Sequence, residues 1–575
     1  MLTATRSQAT RRNSSYLRLL PLFPRLTWLL LGLPVLGGLL GVVLPAFGYF
    51  PDLGGDHLHL GHFWSLLAHP AVPGAVGLTL WTGLAATAIS LALALLLAAA
   101  GHRTRWFQKL EHSLVPLLAV PHAAVALGLA FLIAPSGWFV RLLSPGLTGW
   151  DLPPEFVTVQ DSWGLSLILG LVLKETPYLL LMTLAALPQV RASVMVRAGQ
   201  ALGYASVAAW WRLVLPQLYP LLRLPVFAVL AFSLSVVDVS LILGPTTPPP
   251  LAVLILQWIN EPDLEFRFLA ATGAVLLLNL TLVALAGMWL LERLVFHRFR
   301  GWMTSGRRKP APFLKTAGRL ASWLLPGLSG AGLLGLLLWS LTRRWPYPQS
   351  SPETWTLRNW LRHGPALADT VGTTLLIAGG STLIALVLVV GCLENEQWRQ
   401  VRMTPRSLWL LYLPLILPQA AFLFGVQVLA VKLRIDGTFA VVIWSHLLFV
   451  LPYCFLSLAE SWRRLDSRFL TTARCLGHSP WQVLLRVRMP LLLRPLLVAA
   501  AIGIAVSVAL YLPTLFAGAG RVATLTTEAV AHAAGADRRV IGVYGFLQAL
   551  VPWLGLLFAL LVPRLLFRNR QGMQG

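Results

Sequence analysis

Arg197-Ala198-Gly199-Gln200-Ala201-Leu202-Gly203, followed by Arg212 and by Leu215-Pro216, has a second copy in the same chain. That copy is Thr471-Thr472-Ala473-Arg474-Cys475-Leu476-Gly477, followed by Arg486 and by Met489-Pro490. Gly203 to Pro216 is 13 residues, as is Gly477 to Pro490, and both sets register at an offset of 274. Each copy reads as a helix, a glycine break in the left-handed region, a short amphipathic helix, and a proline where the chain turns into an apolar run. In the second copy Ser479-Pro480-Trp481-Gln482 has the form of a capping box with Pro at the first helical position, so a new helix starts there. The first copy has Ala205 in place of Ser479, with Ser206 as a substitute cap. Val207, Trp210 and Val214, and Trp481, Leu484 and Leu485, give each short helix an apolar side among basic neighbours, suited to docking into another protein's groove. Contact with lipid headgroups alone is the competing reading. Headgroups have little reason to demand two copies in strict register.

Working outward, the same duplication recurs in the apolar segments. Val76-Gly77-Leu78-Thr79-Leu80 returns as Val371-Gly372-Thr373-Thr374-Leu375, Pro121-His122-Ala123-Ala124 with Gly128 as Pro418-Gln419-Ala420-Ala421 with Gly425, and Pro177-Tyr178 as Pro452-Tyr453. The offsets of 295, 297 and 275 describe one duplication with insertions in the loops. Gly244 and Gly518 pair at the offset of the quoted loops.

Composition decides what surrounds these repeats. Of 575 residues, 57% are hydrophobic and only 11% charged, with a mean hydropathy of +0.73, against about 25% charged in soluble proteins. So few charges cannot cover a water-facing surface, so the chain is expected to be an all-α membrane protein. A spanning helix needs ~20 apolar residues. Twelve candidates are predicted: 26–47, 76–100, 114–134, 165–187, 224–243 and 269–291 in the first half, and 320–341, 371–392, 408–431, 439–458, 496–516 and 540–562 in the second. Six spans per copy is an even number, so both halves enter the membrane in the same direction, a parallel 6+6 repeat. The expected segments are a cytoplasmic N-terminal stretch 1–25, a membrane domain 26–295 with its loop at 191–220, a linker 296–319, a membrane domain 320–566 with its loop at 461–494, and a tail 567–575. The first apolar run follows five arginines and exceeds a cleavable signal core, so it reads as an uncleaved signal-anchor.

The net charge of +24 does not point to nucleic acid, because the basic residues lie in short tracts between apolar runs. With the N-terminus cytoplasmic, the inside segments carry 33 of the 45 Lys and Arg and the outside loops 11, with Lys174 inside a span. That threefold bias puts both termini in the cytoplasm. Cys392, Cys454 and Cys475 are too few and too scattered for a disulfide framework or a thiolate metal site.

The small residues, the glycine and the fixed gap to Leu-Pro resemble the cytoplasmic loop of type I ABC-importer permeases. The whole chain is similar to the fused permeases of the thiamine and ferric-iron group, which carry both membrane halves on one polypeptide. Arg197 and Thr471 stand where that family often has Glu, so both copies depart from its pattern there. The resemblance implies that Ala198, Gly199, Gly203, Arg212 and Pro216, with Thr472, Ala473, Gly477, Trp481, Arg486 and Pro490, belong to loops that seat in two separate ATPase subunits. It also implies an extracytoplasmic solute-binding protein and a bacterial inner-membrane location. A secondary transporter with parallel six-span repeats is the alternative, and it has no use for two matched loops of this form.

The chain itself has no visible engine. A Walker A loop needs Gly-Lys, and none of the five lysines (Lys109, Lys174, Lys309, Lys315, Lys432) follows a glycine, so ATP is expected on partner subunits and no cofactor on this chain. No catalytic triad or His-Glu-x-x-His signature is present, which excludes those enzyme classes. Lys174, Glu175 and Asp238 fall inside predicted spans, where a charge costs ~2.5–3.5 kcal/mol and must face protein or water. They are candidates for the translocation pathway, or else make structural contacts with one another or with backbone carbonyls. Asp56-His57-Leu58-His59-Leu60-Gly61-His62 reads as a solvated outside loop, since no second ligand cluster accompanies it. Gly244 to Pro250 read as a rigid external turn.

Overall fold

The computed structural model describes residues 18–101, 104–306, 312–401, 403–535 and 537–568, with the side chains of 405–410 outside that set. Residues 1–17 of the N-terminal stretch, 307–311 of the linker and 569–575 of the tail therefore lie outside the described residues. The principal helices of the first half are α1 Leu22–Ala46, α2 Ala71–Gly101, α3 Arg105–Ala119, α4 His122–Ile133, α5 Leu165–Ala186, α6 Ala192–Ala201, α7 Ser206–Ala209, α8 Leu215–Ser235, α9 Asp238–Leu243, α10 Leu251–Asn260 and α11 Phe266–Thr304. The second half repeats the order: α12 Pro312–Ser340, α13 Gly364–Arg399, α14 Pro405–Ile416, α15 Gln419–Lys432, α16 Phe439–Arg464, α17 Ser467–Cys475, α18 Pro480–Val483, α19 Leu493–Ala509, α20 Leu512–Gly518, α21 Leu525–Ala533 and α22 Arg538–Leu566. Short helices and one small hairpin, Thr342–Arg344 with Thr354–Trp355, occupy connecting loops.

Twelve unbroken spans were expected. Among the described residues ten helices are long and apolar enough to cross a bilayer, or eleven if the pair bent by 78° between Pro480–Leu491 and Leu493–Ala509 is one span. Proline breaks the third and ninth where hydropathy runs on; His122–Leu143 still qualifies as a span, whereas the ninth does not. Pro121 separates α3 from α4 and Pro418 separates α14 from α15, because proline lacks a donor N–H and forces the preceding residue out of helical geometry. The piece left in the ninth, α15, is only 14 residues long. The fifth and eleventh are also divided, at Val236 and Leu510, which are extended. The stretch after the proline-rich turn is a helix, α10, as is its later counterpart α21, and both are too short to cross.

The two halves exchange helices. One core unites α2 to α9 with α12, α21 and α22; the other unites α13 to α16, α19 and α20 with α1, α10 and α11. Glycines permit the exchange. Gly332 of α12 meets Gly128 of α4 so closely that a Cβ on Gly128 would lie 2.8 Å from the Gly332 carbonyl carbon. Gly41 of α1 meets Gly425 of α15 in the same way, and a Cβ on Gly425 would overlap the carbonyl of Gly38. Small residues at membrane helix crossings let backbones approach and gain dispersion contacts that lipid cannot supply. The outward faces stay apolar: Leu29, Leu33, Leu36 and Leu40 of α1 are all more than half exposed, at helical spacing, as a lipid-facing stripe requires.

Candidate functional site

The three predicted intramembrane charges converge around the break between α3 and α4. Lys174 on α5 is buried, and its Nζ donates to the carbonyls of Leu117 at 3.4 Å, Leu118 at 2.8 Å and Val120 at 2.5 Å. These belong to the C-terminal end of α3, where carbonyls lose their helical partners and the macrodipole favours a cation. Lys174 thus has the carbonyl contact of the structural reading, set by the broken helix.

Glu175 points to a different partner. Its Oε1 lies 3.1 Å from Nε2 of His122, the first residue of α4, whose ring packs on Phe232 at 4.7 Å. Asp238 begins α9, is buried, and lies within electrostatic reach of His122. The second half contributes tyrosines: Tyr453 feels the charge of Glu175, and Tyr511 that of Asp238. The repeat counterparts of the three charges, Phe449, Val450 and Leu512, are buried and apolar, so the polar cluster is one-sided. His122 was visible only as part of a repeated motif; a histidine where the other copy has Gln419 was the available signal.

The two loops with matched spacing fold alike. Gly203 and Gly477 sit at φ +85° and +86°. In the first, the N–H of Gly203 donates to Gln200 O and that of Tyr204 to Gly199 O; in the second, Gly477 donates to Arg474 O and His478 to Ala473 O. This bonding closes a helix C-terminus around a left-handed residue. The expected capping box forms, with Ser479 and Gln482 bonding reciprocally, whereas Ser206 makes no cap bond in the first copy. Each short helix then widens into a π turn, Trp210–Val214 and Leu484–Arg488, again at an offset of 274. Gly199 allows α6 and α7 to touch, since a Cβ there would come within 2.6 Å of the Ala209 Cβ.

Ala198, Gly203, Thr472, Gly477 and Trp481 are exposed, Gly199 and Ala473 are buried, and Pro216 and Pro490 are half-buried. Leu202 and Leu476, one residue before each glycine, are 61% and 75% exposed. The paired arginines part company. Arg212 is buried, its guanidinium 4.5 Å from the Trp302 ring centre and 5.4 Å from that of Tyr204, whereas Arg486 is exposed. In the second half the inward role passes to Arg488, which forms a buried ion pair with Glu394, bonds Gln397 and lies over Trp462. Sequence comparison matched Arg212 to Arg486 by position, and nothing in it marked Arg488.

The histidine-rich loop is a ring stack. His57, His59 and His62 follow one another at 5.2 and 4.7 Å, and His62 stacks on Phe268 at 4.6 Å. Burial, with the nearby His59 charge, holds His62 below the usual imidazole range. Among the described residues no group of three or more His, Cys, Asp or Glu is disposed to hold a metal ion.

No family profile matches the chain. It is 35% identical over 520 residues to the inner membrane ABC transporter permease protein YnjC of Escherichia coli K12, covering 90% of this chain and 93% of the relative. It is 26% identical over 210 residues to the putative 2-aminoethylphosphonate transport system permease protein PhnV of Salmonella typhimurium, covering 36% of this chain and 76% of that one.

Proposed function

The chain belongs to the inner-membrane ABC transporter permeases, and from that premise we propose how its two halves divide the work of an importer. As the membrane-spanning subunit it forms the path for a small solute. The proposed architecture is of type I, two six-span halves in parallel on one polypeptide as in the thiamine and ferric-iron group, bounded at 26–295 and 320–566 and joined by the linker 296–319. Two observations support it: α12 to α22 repeat the order of α1 to α11, and three quarters of the PhnV relative corresponds to about a third of this chain. Both termini are cytoplasmic in this reading, and a solute-binding protein docks on the opposite face.

The elbow loops 191–220 and 461–494 take the force from two ATPase subunits, which bind the ATP. The observation that carries this is the exposed leucine beside each left-handed glycine, Leu202–Gly203 and Leu476–Gly477, held by the same cap and followed by the same π turn. The path runs between the halves past Glu175, His122 and Asp238, with Lys174 bracing the helix break beside it. The test is to co-express the permease with a neighbouring ATPase, purify them together and reconstitute them with the binding protein. ATP-dependent uptake is expected. Uptake driven by an ion gradient alone, with no ATPase present, would overturn the reading.

A further inference from the structure

We infer that the groove between the ends of α8 and α11 is a binding site for the headgroup of an anionic phospholipid. The groove has a volume of about 300 Å³ and is lined by Arg223, Glu292, Arg293, Phe296, His297 and Arg300. Its floor is organised: buried Glu292 accepts from Arg223 Nε at 2.8 Å and from the Tyr219 hydroxyl at 2.7 Å. That neutralises one cation. Two remain, because among the described residues neither Arg293 nor Arg300 forms a salt bridge. Arg293 is held in place by the Trp289 ring, 3.7 Å below its guanidinium.

Position selects the ligand. At 39 residues and 1.5 Å per residue, α11 is about 58 Å long, nearly twice the ~30 Å hydrocarbon core. Its apolar run ends at Leu291, so the turns carrying Glu292 to Arg300 sit at the membrane–water interface. Trp289, Leu290, Leu294 and Phe299 are exposed around the basic groove, as a surface bathed in acyl chains requires. Two guanidinium groups lining one cleft open to lipid, Arg293 held by its ring contact, present charge-assisted donors to a phosphodiester whose tails continue along that apolar rim. A soluble phosphate would meet the same donors without using the rim.

The permease with its ATPase partners is placed in nanodiscs of phosphatidylcholine with or without phosphatidylglycerol, and retained lipid is read by native mass spectrometry after detergent extraction. The parent protein is expected to retain phosphatidylglycerol over phosphatidylcholine. In Arg293→Gln/Arg300→Gln retention is expected to fall by roughly tenfold to thirtyfold, the combined weight of two basic residues at an anionic surface. Arg293→Lys/Arg300→Lys should keep most of it. Equal retention of the two lipids by the parent protein, which needs no variant to fold, would overturn the assignment. So would displacement of phosphatidylglycerol by millimolar inorganic phosphate.

Discussion

Thr79 in α2 accepts a hydrogen bond from the backbone N–H of Leu251, the first residue of α10, at 2.9 Å. Thr374 in α13 does the same for Leu525, the first residue of α21, also at 2.9 Å. Each threonine donates its own proton to a carbonyl one turn back, at 2.7 Å in both cases. A non-spanning helix buried in a membrane protein has an N-terminus that water does not satisfy, and a hydroxyl from the neighbouring span meets that need. The repeated Thr in the motifs opening at Val76 and Val371 is thereby given a physical task.

Thr79→Val and Thr374→Val should each cost about 1 kcal/mol, the usual worth of an N-terminal cap. The two sites share no partner, so the double variant should lose about the sum. Thermal unfolding in detergent measures both; a double variant as stable as the parent would contradict the assignment.

Gly425→Val should destabilise by about 1–3 kcal/mol or prevent assembly, because the crossing with Gly38 and Gly41 has no room for a side chain. Gly327→Ala on α12, where a Cβ meets nothing within 4 Å, should be neutral. Folded yield in membranes and melting temperature discriminate the two.

Removing one member of the buried Arg488–Glu394 pair leaves the other charge buried without its counter-ion, so Arg488→Met and Glu394→Met should each cost about 3–5 kcal/mol. The double variant is expected to recover much of that loss. A double-mutant cycle on melting curves checks the coupling.

Lys174→Met should lower stability by about 1–3 kcal/mol, since the α3 carbonyls lose a buried donor. Glu175→Gln and Asp238→Asn should instead fold normally and slow uptake. Unchanged transport by Asp238→Asn at normal expression would remove that residue from the pathway.

Leu202→Asp and Leu476→Asp lie on exposed surface and should leave folding stability within about 0.5 kcal/mol of the parent, read from melting curves. Both should weaken co-purification of the ATPase and lower solute-stimulated ATP hydrolysis. Full retention of both properties would separate these leucines from coupling.

Much of this architecture was legible in advance. The helical membrane class and most of the spans follow from apolar composition and run length, which no aqueous packing overrides. The elbow geometry was also readable, because Gly203, Gly477 and the Ser479–Gln482 box act through local backbone bonding that depends on a few neighbours. The breaks at Pro121 and Pro418 were written in the chain as well, yet hydropathy alone ran straight through them. An apolar residue counts the same on either side of a proline.

Amino-acid order by itself determined that the chain carries repeated motifs and is helical and membrane-embedded, since these depend on spacing along one dimension and on how each residue partitions from water. Tertiary structure alone decided that α1 and α12 change sides, that Lys174 braces α3 while Glu175 meets His122, and that Arg488 rather than Arg486 turns inward. Those outcomes belong to contacts between residues tens to hundreds of positions apart. Which partner a buried charge finds depends on where the packed helices leave an open carbonyl, ring or carboxylate.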